Sequence, residues 1–356
     1  MKIAISYKVK TESWGGGNQF AKELIKAAQN QGHKVVFDLK NIDIDIILLT
    51  DPRSYTDEIT FGSFEIIRYL LFVNKKALVV HRINECDERK NTKHMNRFLR
   101  WSNYCADHTV FIGSWLKDLN LYLKGTPNSV ILNGADPHIF KRYGNSYWDG
   151  EGPLSIVTHH WSPNYRKGFD IYKHLDDLLA TSKYWDGIIK FTYIGNLPEG
   201  FLFKKTKHIQ PISGELLGRE LSKHHLYLSA SINEPAGMHH IEGALCGLPI
   251  IYRESGALPE YCKNFGISFE NVDYLSAIKE MLVEYRNYRE KISSYPHDSF
   301  KMTNNYLNLF SHLVENRKEI VSKRNLFRSP ILLAKNFLFL LMYFRNVVKL
   351  IRKSRQ

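Results

Sequence analysis

The chain has 356 residues, 44% of them hydrophobic, a length that suggests two globular domains and excludes a peptide scaffold or a disordered tail. Forty-nine Lys and Arg against 36 Asp and Glu give a formal charge of +13, which favours an acidic partner such as phosphate, nucleic acid or an anionic membrane. Nine cations and no acid fall in 323–356, leaving +4 for the first 322 residues, and so local a charge argues against a nucleic-acid channel spread over the whole surface.

The opening MKIAISYKV has too short an apolar core, and no small-residue cleavage site, for a signal peptide, and it reads as a first buried strand. Short apolar runs then alternate with helix-length amphipathic segments, the rhythm of parallel α/β sheets. The pattern predicts strands at 3–6, 34–37, 44–49, 77–80, 108–112 and 129–132, with helices such as 18–29 and 65–72 between them. A Gly-, Asn- and Asp-rich stretch at 143–153 punctuates the chain and marks a domain joint. The pattern restarts with strands at 155–158, 190–194, 226–229, 249–252 and 267–269. Two doubly wound domains follow, and their ligands are expected where the carboxyl ends of strands face a shared cleft. Cys86, Cys105, Cys246 and Cys262 lie far apart with no CxxC pair, so neither a zinc knuckle nor a disulfide framework is signalled and a reducing compartment fits. Nowhere do 18 uncharged apolar residues run together, so no membrane-spanning helix is expected.

The stretch 229–261 carries the most chemistry. Glu234 and Glu242 are separated by seven residues; Pro235 and Gly237 make a turn, and a helix over 238–246 is closed by Gly247. Backbone N–H groups near Gly237, Met238 and His239 suit a diphosphate. Carboxylates beside a phosphate would repel it, so Glu234 and Glu242 read as acceptors for sugar hydroxyls, Glu242 on a ribose and Glu234 on a transferred sugar. The bland alternative is an ordinary helix with one solvated and one capping carboxylate.

The order E-P-A-G, a second Glu eight positions after the first, G-L-P-I-I and S-G-A-L-P-E-Y resembles the donor-binding core of the retaining GT-B glycosyltransferases of family 4. The resemblance implies two Rossmann-like domains across a cleft, an acceptor-side domain at 1–150 and a nucleotide-sugar-binding domain with a crossover helix at 151–322. It gives Glu234 to the donor sugar and Glu242 to the ribose. THHWSPNYRKGFD is similar to the family's diphosphate loop, with Lys167 at its Lys-Gly. The family's Arg before that Lys is replaced by His160, Trp161 and Ser162, so Arg166 reads either as its substitute or as a surface cation. The loop Trp14-Gly15-Gly16-Gly17-Asn18-Gln19 opens helix one and by resemblance covers the donor's diphosphate and sugar. His81, with Arg82 at a strand end expected to face the cleft, would contact the donor sugar; the alternative is a histidine hydrogen-bonded in the core. Asn133-Gly134-Ala135-Asp136 resembles the family's NGxD turn, with a structural role.

The adjacent pairs His159-His160, His224-His225 and His239-His240 point apart and lack an HExxH, and Asp43-Ile44-Asp45 reads as a strand lead-in, so no metal site and no cofactor are expected. The donor is a nucleoside-diphosphate sugar and the acceptor a hydroxyl of a glycan or lipid-linked molecule, with retention of configuration. The alternatives are an inverting GT-B transferase, a sugar-nucleotide epimerase or a noncatalytic scaffold. Pro330 starts a helix over 330–355 whose Lys335, Arg345, Lys349 and Arg352 share an arc of roughly 100°. This places 323–356 as a cationic amphipathic tail on an anionic membrane surface, the competing view being a helix packed on the protein or on a dimer partner, on a cytoplasmic, peripherally bound enzyme that binds no nucleic acid.

Overall fold

The computed structural model describes residues 1–353 apart from 11–14, 54, 55, 57, 145, 146, 325, 327 and 328, with side chains described up to residue 342. Trp14 of the glycine-rich loop, Asn145 and Ser146 of the joint, Arg328, and the side chains of Arg345, Lys349, Arg352, Lys353 and Arg355 thus lie outside the described residues.

Among the described residues, the apolar runs form two six-stranded parallel sheets. Their central strands are buried on both faces, the state that helices covering a parallel sheet produce. The first sheet contains β1 (Lys2–Ile5), β2 (Lys34–Val36), β3 (Ile46–Leu49), β4 (Leu78–Ile83), β5 (His108–Phe111) and β6 (Asn128–Val130), ordered β2-β1-β3-β4-β5-β6. With it go helices α1 (Gly16–Asn30), α2 (Ser63–Phe72), α3 (Asp87–Lys90) and α4 (Met95–Ser102). The second sheet contains β7 (Leu154–His160), β8 (Ile189–Gly195), β9 (Lys207–Ile209), β10 (Leu226–Ser229), β11 (Ile250–Arg253) and β12 (Gly266–Phe269), ordered β12-β11-β10-β7-β8-β9. Helices α5 (Phe169–Thr181), α6 (Lys183–Ile188), α7 (Gly214–Leu221), α8 (His239–Leu245), α9 (Leu258–Cys262) and α10 (Tyr274–Lys291) accompany it. Strand order reverses at β1/β3 and at β7/β10, and a crevice opens at each such point.

The chain then returns to the first domain. Helix α11 (Ser299–Glu315) packs Met302, Tyr306, Phe310 and Leu313 against Ile3, Ile5, Phe20 and Leu24. Helix α12 (Arg317–Lys323) follows, and Arg317 pairs with Asp45 at 2.5 Å.

Helix α13 (Pro330–Lys353) begins at the expected Pro330, but its first half does not lie free of the protein. The Phe337 ring sits 4.5 Å from Phe64 of α2, Phe339 stacks 5.2 Å from Trp101 of α4, and buried Asn336 donates to the Trp101 carbonyl at 2.7 Å. Nor is Arg324 a cation of the tail. Its guanidinium is buried, donates to both oxygens of Asp107 at 2.8 and 2.7 Å, and reaches the carbonyls of Lys75 and Ala77. An Arg with a matching carboxylate and two carbonyls satisfies its planar fork inside the protein, which outweighs attraction to a distant surface. Among the described residues, no helix is long and apolar enough to cross a membrane.

Both members of the Arg324–Asp107 pair have side chains only 1% exposed. Arg324→Met is therefore expected to cost about 3–5 kcal/mol by stranding the carboxylate, read as a lower denaturation midpoint with an unchanged slope. Burial also pushes His81 down to about 3, and His108 and His224 to about 4. The unfolded chain binds these protons first, so stability falls as the pH drops below about 6.5 toward 4. The thermal midpoint should decline across that range, and less steeply in His224→Gln; a flat profile in the parent protein would contradict this.

Candidate active site

Between the two switch points lies a cavity of about 660 Å³, within the range of small-molecule sites. Gly15, Gly16 and Gly17, where β1 hands over to α1, line its first-domain wall together with Arg82, Asn84 and Arg89. His159 and His160 at the end of β7, Lys167, Glu234 and the run through Gly237, Met238, His239 and Glu242 line the second.

Glycine is needed at two of these positions by close approach. A Cβ on Gly16 would lie 2.8 Å from Cγ of Met238, so the start of α1 touches the start of α8. A Cβ on Gly237 would meet the His239 ring at 2.4 Å and the Glu234 carboxyl carbon at 3.1 Å. Only a bare backbone lets the Glu234 turn fold against α8.

Two buried pairs define the second-domain wall. Lys167 Nζ donates to Glu234 Oε2 at 2.5 Å, with side chains 12% and 4% exposed. Burial alone would raise the Glu234 pKa, but the charges of Lys167 and then Arg89 hold it down at about 2. Burial lowers the Lys167 ammonium, Glu234 opposes this, and the like charge of Arg89 adds to it. In the second pair, His159 Nε2 lies 2.6 Å from Glu242 Oε2, and Tyr227 Oη lies 3.0 Å from His159 Nδ1. A carboxylate only accepts, so Nε2 carries the proton toward Glu242, and the tyrosine hydroxyl engages Nδ1 from the other side. Nearby, His239 Nε2 meets Ser229 Oγ at 2.9 Å and His160 Nε2 meets Tyr172 Oη at 2.9 Å. Burial, reinforced by neighbouring cations, keeps both imidazoles well below their usual pKa. His160 and His239 are thus hydrogen-bonded neutral groups, not a cationic bed for phosphate.

The structure thus brings Gly15, Gly16, Gly17, Lys167, Glu234, Gly237, Met238, His239 and Glu242 to one cavity, and leaves two sequence candidates out of it. His81 does not face the cleft. Strand β4 runs on to Ile83, so His81 is fully buried, with Asn103 Nδ2 3.1 Å from its Nδ1. Successive strand residues alternate faces, and it is Arg82 that reaches the cleft, its guanidinium 3.8 Å over the Phe20 ring and donating to Asn133. Arg166 is not among the cavity-lining residues either. It sits in the tight turn Tyr165–Lys167, where about 120° separates neighbours, so it diverges from Lys167.

Sequence reasoning missed Arg89 and the His159–Glu242 pair. Arg89 stands in the run Asp87-Glu88-Arg89-Lys90, whose charges cancel, and its only signal was its place just beyond a strand's carboxyl end. His159 was dismissed with its neighbour as one of three adjacent pairs, yet alternation on β7 is what sends it to Glu242.

No family model matches the sequence, and no curated protein matches it. Solved structures do match in shape. Sucrose-phosphate synthase from Thermosynechococcus elongatus is 15% identical with a TM-score of 0.61, over 88% of this chain and 99% of that one. HepE of Anabaena in complex with UDP is 13% identical with a TM-score of 0.64, over 88% and 100%. The catalytic domain of starch synthase IV from Arabidopsis thaliana, bound to ADP and acarbose, is 12% identical with a TM-score of 0.57, over 88% and 99%. Shared over nearly the whole of each chain, this architecture of two doubly wound domains facing a common cleft is the GT-B fold.

Proposed function

We propose that the protein is a retaining glycosyltransferase that moves a hexose from a nucleoside-diphosphate sugar to a hydroxyl of a glycan or lipid-linked acceptor. The observation that carries this reading is the wall on which Lys167–Glu234 and His159–Glu242 stand side by side, opposite the glycine-rich start of α1. HepE has been solved with UDP and with UDP-glucose, and starch synthase IV with ADP, which supports a nucleotide-sugar donor in a cleft of this shape.

In this reading the diphosphate takes the Lys167 ammonium from Glu234, and Glu234 takes sugar hydroxyls in exchange. Glu242, with Oε2 held by His159, offers Oε1 to a ribose hydroxyl. Backbone N–H groups at Gly16 and Gly17, at the start of the 15-residue α1, point a helix terminus at the leaving phosphate. Charge develops on the diphosphate as the glycosidic bond breaks, and these donors stabilise it without reorganising. The acceptor hydroxyl attacks the anomeric carbon from the face the diphosphate leaves, and passes its proton to the leaving phosphate oxygen. No protein base or covalent nucleophile takes part, and buried His81 has no role in the step. The nucleoside base and the hexose would be identified by thermal shift across a panel of nucleotide sugars.

Glu234→Gln keeps the shape of the site but cannot accept with full charge. It should lower kcat by roughly 10²-fold with donor affinity changed much less, whereas Glu242→Gln should weaken donor binding by roughly 10-fold or more. NMR of the product should show the donor's anomeric configuration. Inverted product would defeat the retaining mechanism, and unchanged kinetics in both variants would defeat the residue roles.

A lipid surface as partner is part of the same reading. Helix α13 docks one side on the first domain and turns Ile331, Leu338 and Met342 outward, at 70%, 59% and 56% exposure, ahead of a segment rich in Lys and Arg. Apolar side chains followed by cations suit the headgroup plane of anionic lipids. The full chain should float with phosphatidylglycerol vesicles at low salt. Leu338→Gln combined with Met342→Gln should stay behind, and failure of the parent protein to float would end the membrane proposal. A truncation at Ser322 is the wrong test, because it also removes Arg324 from Asp107.

A further inference from the structure

We propose that Arg89 is a phosphate-binding residue of the donor site, gripping the diphosphate from the first domain while Lys167 holds it from the second. The inference rests on the nucleotide-sugar reading above and adds a residue to it that neither the sequence pattern nor the resemblance supplied.

Arg89 and Lys167 come from opposite domains, yet both line the cavity that holds Glu234. The short helix α3 that carries Arg89 is seated beside the Glu234 turn, since Asn233 Nδ2 donates to the Glu88 carbonyl at 3.2 Å across the domain boundary. Its seat on its own side is rigid. The Asp87 carboxylate accepts from the backbone N–H groups of Met95 at 2.8 Å, His94 at 3.0 Å and Asn96 at 3.0 Å. Arg89 Nη1 donates to Glu85 Oε2 at 3.2 Å, and Lys90 Nζ reaches the same oxygen at 3.0 Å. Glu85 is thus served twice and orients the guanidinium by one nitrogen of a fork that carries five N–H donors.

Charge balance points the same way. Lys167 alone must serve Glu234 in the free protein and a diphosphate in the complex. Lys22, Lys26 and Arg82 also line the cavity, but Arg82 is engaged with Phe20 and Asn133 and the two lysines stand along α1 away from Glu85, while Arg166 does not line it. Arg89 already acts electrostatically on both Glu234 and Lys167. Arg89 and Lys90 share Glu85, and Lys167 pairs with Glu234, so three cations face two carboxylates and leave a positive surplus that favours an anion there. Because Arg89 and Lys167 sit on different domains, the anion site is complete only with the domains facing each other.

The test compares UDP and GDP with uridine and guanosine, using calorimetry for the nucleotides and saturation-transfer NMR for the weaker nucleosides. Arg89→Ala should weaken the diphosphate that binds by roughly 10–100-fold and leave the matching nucleoside unchanged. Arg89→Lys should lose less, and Lys90→Ala, which removes the other partner of Glu85, should bind as the parent does. Diphosphate affinity in Arg89→Ala within a factor of about three of the parent overturns the proposal. So does an equal loss for nucleoside and diphosphate, which would make Arg89 a brace for the loop. If the parent protein binds neither diphosphate, the donor reading itself falls and takes this inference with it; the two failures are therefore told apart by the parent's own titration.

Discussion

The Lys167–Glu234 pair is the interaction on which the site depends. An ammonium and a carboxylate 2.5 Å apart, almost out of water, pay for their desolvation only while they face each other, and two apolar side chains of similar volume would stabilise the fold at least as well. The arrangement makes sense as a reservoir of exchangeable partners. Each ion keeps the other satisfied in the free protein, and under the proposed function a diphosphate with a hexose would replace both partners at once, the anion meeting the cation and the hydroxyls meeting the carboxylate. The His159–Glu242 pair repeats the device with a softer partner, Tyr227 fixing the imidazole so that only one carboxylate oxygen is occupied.

An exchange of this kind requires the two walls to stand at a fixed distance, and the chain supplies the fixing at the linker. The Asn133 backbone N–H donates to the Tyr261 hydroxyl at 2.6 Å, that hydroxyl donates on to the Ile112 carbonyl at 2.8 Å, and the Asn133 side chain donates to the Ala236 carbonyl at 3.0 Å. Tyr261 and Ala236 belong to the second domain, Ile112 to the first. Buried hydrogen bonds of this sort are expensive to break. Helix α11 adds a second tie, the Ser299 N–H donating to the Ala135 carbonyl at 2.8 Å where the helix crosses back. The NGAD turn is thus a joint between domains, and its polar side chains are spent on holding it.

Most of this architecture was legible because it rests on periodicity. Runs such as 46–49 and 77–80 are apolar at every position, and a parallel strand covered on both faces is what such a run makes. Strand β9 was missed because Lys-His-Ile at a sheet edge has neither length nor alternation. That Glu234, Glu242 and Lys167 would share one cavity wall was legible through the resemblance of the stretches that carry them, which follow strand ends and so open onto the cleft. His81 failed because its position turned on where β4 stops; three residues beyond the predicted end at 80 carry the strand to Ile83, and alternation leaves Arg82 facing the cleft. Arg89 failed for a different reason, since nothing local in a neutral charge run tells which of its members a partner domain will approach.

The C-terminal segment shows the same limit from the side of charge. Counting cations treated Arg324 as one of nine equivalent charges, whereas a carboxylate 217 positions away in sequence removes it from the surface. What remains of the argument is carried by apolar residues. The segment 331–342 is hydrophobic nearly all round, and a helix of that kind needs cover on more than one side. Helices α2 and α4 cover one side through Phe64 and Trp101. Ile331, Leu338 and Met342 on the other still face outward, and Phe72 of α2, at 80% exposure, is a further large apolar side chain of the same domain. Docking to the protein and the proposed docking to a lipid surface are therefore not rival fates for α13: the first fixes the helix on the first domain, and so fixes which face of that domain a membrane would meet.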